Sequence, residues 1–169
     1  LLFSKNKNIE LTALGLENII AVSTPDAVLV MDKERTQNVK QIVSSLKKKG
    51  ASQATKSIKD NRPWGWFETV IKNKEFQVKL IHVAPGSALS LQSHKFRAEH
   101  WVVVEGEASV TIEKCVKTLK KGESAYIPRG SIHRLENNTS LPLELIEVQI
   151  GAYLGEDDII RYEDKYLRD

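Results

Sequence analysis

A single cysteine, Cys115, means that no internal disulfide can staple this chain. No apolar run is long enough to span a bilayer or to serve as a secretory signal, which removes the membrane-spanning and exported classes from consideration. Charge of one sign is also missing: 25 basic and 22 acidic residues leave a net +3. That balance excludes a strong electrostatic footprint for nucleic acid or a lipid surface, while the mild excess tolerates an anionic small molecule. There is no internal repeat, no low-complexity tract and no glycine-rich phosphate loop. These absences together predict a cytoplasmic protein whose partner is a small molecule, with neither nucleic acid nor membrane involved. What is present is an ordinary globular balance of 41% hydrophobic and 28% charged residues over 169 positions, enough for one domain and an appendage. The first residue is Leu1 and structured-looking sequence follows at once, so a longer polypeptide is expected to precede it.

Local patterns divide the chain. Residues 8–14 and 18–31 carry apolar, β-branched runs broken by Gly15 and by Pro25-Asp26, which predicts short strands. From Lys33 to Lys49, Val39, Ile42, Val43 and Leu46 recur at helical spacing, with Asp32 placed to cap the start and Gly50 to end the helix. Lys47, Lys48 and Lys49 fall in its last turn, where positive charge suits the helix dipole. Residues 51–61 are polar and aperiodic and read as a linker, giving an organisation of 1–50, linker 51–61, and 62–169. Beyond Arg62, short apolar runs alternate with turns at Pro85-Gly86, Glu105-Gly106, Lys121-Gly122 and Arg129-Gly130. Regular short strands with such punctuation predict a sandwich, jelly roll or barrel.

Chemistry concentrates in two segments. Gln92 and His94 are two residues apart, so on an extended strand both side chains share a face. Glu99 opens the next apolar strand, and His133 begins another after the Pro128-Arg129-Gly130 turn. The spacings Gly86, five residues, Gln92, one, His94, four, Glu99, six, Gly106, and then Gly122, five, Pro-x-Gly, two, His133, three, Asn137, resemble the two cupin motifs throughout. Glutamine departs from the histidine most cupins have at the first ligand position. Two imidazoles, a carboxylate and an amide oxygen form a mixed donor set for one divalent ion, zinc first, with Co, Mn, Ni or Fe compatible. The expected fold is mainly β, a cupin jelly-roll barrel preceded by a short β-strand plus helix segment. By strand parity His100 points away from Glu99, His82 lies outside both motifs, and both read as structural. Trp64, Trp66 and Trp101 read as core or interface anchors.

A closer resemblance rests on specific words: Arg62-Pro63-Trp64-Gly65; Leu89-Ser90-Leu91-Gln92-x-His94-x-x-Arg97-x-Glu99-His100-Trp101; His133-Arg134-Leu135-Glu136-Asn137; and the tail from Glu144 to Asp164. These resemble the type II phosphomannose isomerase domain, with nearly continuous coverage from 62 to 168. In that family the domain is usually the C-terminal half of a bifunctional protein whose other half is a mannose-1-phosphate guanylyltransferase. Leu16-Glu17-Asn18-Ile19-Ile20-Ala21-Val22 and Thr24-Pro25-Asp26-Ala27 resemble the end of that transferase half, so residues 1–50 are expected to be its C-terminal remnant. Lys95-Phe96 and Tyr166-Leu167-Arg168 depart from the family pattern.

The resemblance implies interconversion of mannose 6-phosphate and fructose 6-phosphate through a cis-enediol, supplying GDP-mannose synthesis, with a full-length parent that also makes GDP-mannose. A bound metal would polarise the carbonyl, and a general base would move the proton between C1 and C2. Candidates for the base are Lys79, Glu147 and Glu105, with His100 also within reach of the motif. Candidates for phosphate binding are Arg97, Arg134 and Arg161, since a guanidinium binds phosphate bidentately. A homodimer is expected, because strands in 8–31 that lack preceding partners invite pairing between chains. Two competing readings are a non-catalytic cupin that binds sugar phosphate or regulates the transferase half, and another cupin enzyme such as a dioxygenase or epimerase.

Overall fold

Period-two alternation of buried and outward residues runs through most of the chain and organises a computed structural model that describes residues 1–5, 9–55 and 57–167. It divides into two units, Leu1–Ser57 and Ile58–Asp169.

In the first unit, β1 (Leu2–Ser4) pairs in parallel with β2 (Ile19–Ser23), which pairs antiparallel with β3 (Val28–Asp32). Thr24 and Ala27 close the β2–β3 turn, with the Ala27 amide donating to Thr24 Oγ1 at 3.2 Å. The expected strands of 18–31 are these two; residues 9–14 form none, and Asn8 lies outside the described residues. The expected helix over 33–49 is divided. Lys33–Asn38 winds as a tighter 3-10 helix with non-helical torsions at Arg35, and only α1 (Val39–Lys48) is a true α-helix. Asp32 caps the start as expected, accepting from the Glu34 amide at 2.7 Å. Gly50 ends the segment at φ +72.

The second unit is a double sheet. Six strands lie in the order β11 (Ser124–Ile127), β8 (Arg97–Glu105), β13 (Leu143–Gly151), β6 (Phe76–Val83), β5 (Gly65–Lys72), β4 (Lys59–Arg62). Five lie in the order β10 (Cys115–Lys120), β9 (Glu107–Ile112), β12 (His133–Glu136), β7 (Leu91–His94), β14 (Ile159–Glu163). Every pairing in both sheets is antiparallel. The linker expectation for 51–61 is corrected at its end. Lys59–Arg62 is the edge strand of the larger sheet, paired from Lys59↔Glu68 to Arg62↔Gly65, where polar side chains suit an edge facing water.

Register sorts the inner face of the larger sheet into rows. Phe67, Ile81, Leu145 and Val103 make an apolar row across β5, β6, β13 and β8. Beside it lies Lys79–Glu147–Trp101, and beyond that Gln77–Gln149–Glu99. Hydrophobic burial in the first row, about 1.5–3 kcal/mol per large side chain, anchors the two polar rows that follow. Gly151 ends β13 opposite Arg97, where a Cβ would lie 2.2 Å from the Phe96 carbonyl oxygen, so only glycine lets the two strands close at that point. Trp64 and Trp101 are core residues as expected, whereas Trp66 lies on the outer face, stacked on His82 at 5.2 Å.

Candidate metal centre

Three ligand strands converge on one spot. His94 ends β7, Glu99 lies in β8 and His133 opens β12, with the Cα of His133 paired in register with Gln92. The donor atoms of His94, Glu99 and His133 all lie within 4.8 Å of one another, and all three residues are buried. His94 Nε2 is 3.1 Å from Glu99 Oε1, and His133 Nε2 is 3.7 Å from Glu99 Oε2. Gln92 joins them, its amide nitrogen 3.5 Å from His94 Nε2 and its amide oxygen accepting from Ser90 Oγ at 2.8 Å. Turning that carboxamide by 180° aims its oxygen at the cluster, and the Ser90 hydroxyl then accepts instead of donating.

The donor set fits a divalent ion on two observations. His133 Nδ1 lies 2.9 Å from the Ser131 carbonyl, which selects the tautomer with Nδ1–H donating and leaves the Nε2 lone pair facing Glu99. His133 Nε2 and His94 Nδ1 are buried polar atoms with no hydrogen-bond partner among the described residues. Burial pushes the His133 imidazole below its usual range, only partly offset by Glu99's charge, a direction that favours the form with a free lone pair. Burial would raise Glu99, but the hydrogen bond from His94 and the positive fields of His94, His133 and Arg97 win, so its carboxyl is held well below the usual carboxylate range.

Glu99 is also the hub of a buried hydrogen-bond network. Arg97 Nε donates to Oε1 at 3.2 Å, Gln149 Nε2 to Oε1 at 3.1 Å, and Trp101 Nε1 to Oε2 at 3.1 Å. Trp101 Nε1 is shared with Glu147 Oε2 at 3.0 Å, and Gln149 Nε2 donates to Glu147 Oε1 at 2.8 Å. Glu147 is thus one indole away from the ligand carboxylate. Burial, then the negative charge of Glu99, push its carboxyl up to about 8 against the pull of Lys79.

A cleft opens from this cluster, lined among others by Arg62, Trp64, Lys79, Ser90, Glu156 and Arg161. Of the residues singled out in the sequence, Gln92, Glu99, Lys79, Glu147, Arg97 and Arg161 all line it, and His94 and His133 lie in the ligand cluster beside them. Three do not reach it. Glu105 is exposed at the far end of β8, past a register shift opposite Glu144/Leu145, so its shared parity with Glu99 is lost. Arg134 alternates with the inward His133 and Leu135, so it faces outward and bonds Glu163 at 2.9 Å. His100 is likewise exposed on the outer face, 4.7 Å from the Tyr126 ring. Arg62, Ser90 and Glu156 were not among the expected site residues; the family-like words held all three, but nothing in them marked a side chain as lining the cleft.

Fold and site together define a cupin barrel carrying a buried His–Glu–His cluster with metal-ligating geometry. Among solved structures, an oxalate decarboxylase of Bacillus subtilis superposes with a TM-score of 0.56 at 19% identity, covering 62% of this chain and 30% of that one, which speaks to the fold alone. A double-stranded β-helix protein of Klebsiella pneumoniae does so at 0.51 and 23% identity, over 57% of this chain and 83% of that one. The chain belongs to the mannose-6-phosphate isomerase family: residues 47–164 match the model described as its C-terminal domain. Residues 4–46 match a MannoseP isomerase/GMP-like β-helix domain. The xanthan biosynthesis protein XanB of Xanthomonas campestris is 54% identical over 92% of this chain and 33% of its own length. The alginate biosynthesis protein AlgA of Pseudomonas putida is 49% identical over 93% and 32%, and the mannose-1-phosphate guanylyltransferase ManC of Salmonella typhimurium 46% over 93% and 33%. The chain therefore spans about a third of the length of these relatives. No helix among the described residues is long and apolar enough to cross a membrane.

Proposed function

We propose that this chain interconverts mannose 6-phosphate and fructose 6-phosphate through a cis-enediol. The observation that carries the reading is Glu147, a buried carboxylate facing the cleft and joined through Trp101 Nε1 to the ligand Glu99. Aldose–ketose isomerisation needs one proton moved between C1 and C2, and a carboxylate tuned toward neutral pH is suited to take it and return it. A divalent ion held by His94, Glu99, His133 and Gln92, zinc first among Zn, Co, Mn, Ni and Fe, would supply Lewis-acid polarisation of the substrate carbonyl when bound.

Lys79 is a poorer candidate than Glu147, because its Nζ is already engaged with Glu156 at 2.5 Å. Trp101 and Gln149 hold the Glu147 carboxylate in place through its two oxygens, and the apolar row of Phe67 and Ile81 keeps water from that wall of the cleft. The relatives' names support a wider setting in which a longer parent protein also makes GDP-mannose from mannose 1-phosphate and GTP, for which the isomerase supplies the precursor. The test is direct: incubate the chain with mannose 6-phosphate and each divalent metal and measure fructose 6-phosphate. A folded, metal-loaded sample that forms no product with any metal refutes the isomerase reading and leaves the binding-module alternative.

A further inference from the structure

Four cations line the cleft, and they are not equivalent. Arg97 is spent on structure, with Nε on Glu99 and Nη1 donating to the Gly155 carbonyl at 2.8 Å, its side chain 2% exposed. Arg161 is paired in register with Gln92, at the ligand end of the cleft. Lys79 and Arg62 instead both lie against one ring, Lys79 Nζ 4.4 Å and the Arg62 guanidinium carbon 5.4 Å from the Phe67 centroid, and Arg62 Nη2 also pairs with the partly exposed Asp60 carboxylate at 2.8 Å. Beside Lys79 stands Glu156, whose carboxylate accepts from its Nζ. The positive fields of Lys79, Arg97 and Arg62 outweigh the effect of burial and hold its carboxyl below the usual range.

Exposure is graded across this group. The Lys79 side chain is 5% exposed, Arg62 32% and Glu156 45%. A buried ammonium needs an anion, but a half-exposed carboxylate gives up little by turning back to water. The backbone around Glu156 is pinned: Gly155 accepts from Arg97, and the Asp158 carboxylate accepts from the Lys95 and Phe96 amides at 3.1 Å each. Only the Glu156 side chain is left to swing. Glu156 lines the cleft with Gln92, Glu99 and Lys79, so a sugar phosphate that reaches the ligand cluster passes beside that carboxylate.

We propose that Lys79 and Arg62 form the phosphomonoester subsite, and that the Glu156 carboxylate is a built-in counter-anion which the substrate's phosphate displaces. This rests on the sugar-phosphate reading above. A dianion replaces a monoanion on Lys79 and adds acceptor oxygens for the Arg62 guanidinium, so exchange favours the phosphate. A neutral hexose brings no charge with which to displace Glu156. The residue thereby acts in specificity, as an obstacle that only the correct charge removes.

The test is calorimetric titration of inorganic phosphate, then mannose 6-phosphate and mannose, into the metal-loaded chain. Glu156→Gln is expected to bind inorganic phosphate about tenfold tighter, Lys79→Met at least about tenfold weaker, and Arg62→Gln weaker by a smaller factor. Metal content is expected to stay unchanged in all three, and Lys79→Arg is expected to restore most of the affinity. Unchanged or weaker phosphate binding by Glu156→Gln overturns the counter-anion. Arg62→Gln, at a partly exposed position, keeps the subsite testable if Lys79→Met misfolds, and unchanged affinity there overturns Arg62's part. Phosphate binding with this pattern in a chain that never isomerises sinks the isomerase reading alone, whereas turnover with an unaltered KM in Lys79→Met and Arg62→Gln sinks the subsite alone.

Discussion

Replacing Glu99 by glutamine separates its role as a metal ligand from its role as the hub of the buried network. The carboxylate faces five nitrogens: Arg97 Nε, Gln149 Nε2, Trp101 Nε1, His94 Nε2 and His133 Nε2. A carboxamide offers one acceptor oxygen and an NH₂ group, so with the oxygen kept toward Arg97 and Gln149 the NH₂ meets the Trp101 N–H, donor against donor. Arg97, 2% exposed, loses its nearest countercharge and keeps Asp158 only at 3.8 Å. Breaking a buried pair from one side costs about 3–5 kcal/mol. Glu147 offsets part of this, since neutralising Glu99 removes a charge that helps to hold its carboxyl up near 8, and places the loss toward the lower end. For the metal-free chain in chelator, a loss of about 3 kcal/mol with a urea m-value of about 2 kcal/mol/M moves the midpoint down by about 1.5 M. Trp64, Trp66 and Trp101 all lie in the barrel, so fluorescence follows that unit's unfolding. The pH dependence has a definite sign. The folded-state pKa of Glu99 lies below its unfolded value of 4.5, so its stabilisation is present above 4.5 and is lost as pH falls. The gap between wild type and Glu99→Gln should therefore narrow below 4.5, by about 1.4 kcal/mol for each pH unit. A midpoint shift under about 0.5 M at pH 7, or a gap that widens in acid, refutes the hub role.

Other outcomes follow from the same geometry. His94→Ala and His133→Ala should each lose metal measured by elemental analysis after dialysis, along with turnover; metal retained by both variants would remove the assigned centre. Glu147→Gln should keep metal content and KM while kcat falls about 10²–10⁴-fold, and a kcat near wild type assigns the base elsewhere. Gly151→Ala forces a methyl to within 2.2 Å of the Phe96 carbonyl and 2.7 Å of Arg97 Cα, so it should lower thermal stability and weaken metal affinity together by spreading β13 from β8. Metal release on acidification should track protonation of the imidazoles, with half-loss moving to higher pH in Gln92→Ala, which removes one donor.

The ligand set was legible because strand parity is a local property: Gln92 and His94 two apart, Glu99 at the head of the next strand, His133 just past a proline–glycine turn. Residue type and spacing also determined the β class, the turn glycines and the Asp32 cap, since each depends on torsions and side chains within a few residues. Sequence adjacency misled where alternation should have decided. Arg134 sits beside His133 in the chain and therefore on the opposite face, and the polar character of Lys59–Arg62 suggested a linker where an edge strand tolerates the same residues. The register shift beyond Val103 that removes Glu105 from the inner face arises from pairing with β13 and leaves no mark in β8 itself.

Tertiary structure alone decided the mouth of the cleft. Lys79 and Glu156 stand 77 residues apart and meet only because β6 lies inside the larger sheet while Arg97 and the β7–β8 turn pin the segment around Glu156 across its end. The contrast between Glu147 and Lys79 is of the same kind. Both are buried charged residues in one row, and only the three-dimensional arrangement of their neighbours leaves one salt-bridged and the other pushed toward neutrality by burial and a nearby carboxylate. Spacing along the chain could name the ligands of an ion; which charges surround a group depends on strands distant in sequence, and so does the chemistry that group can perform.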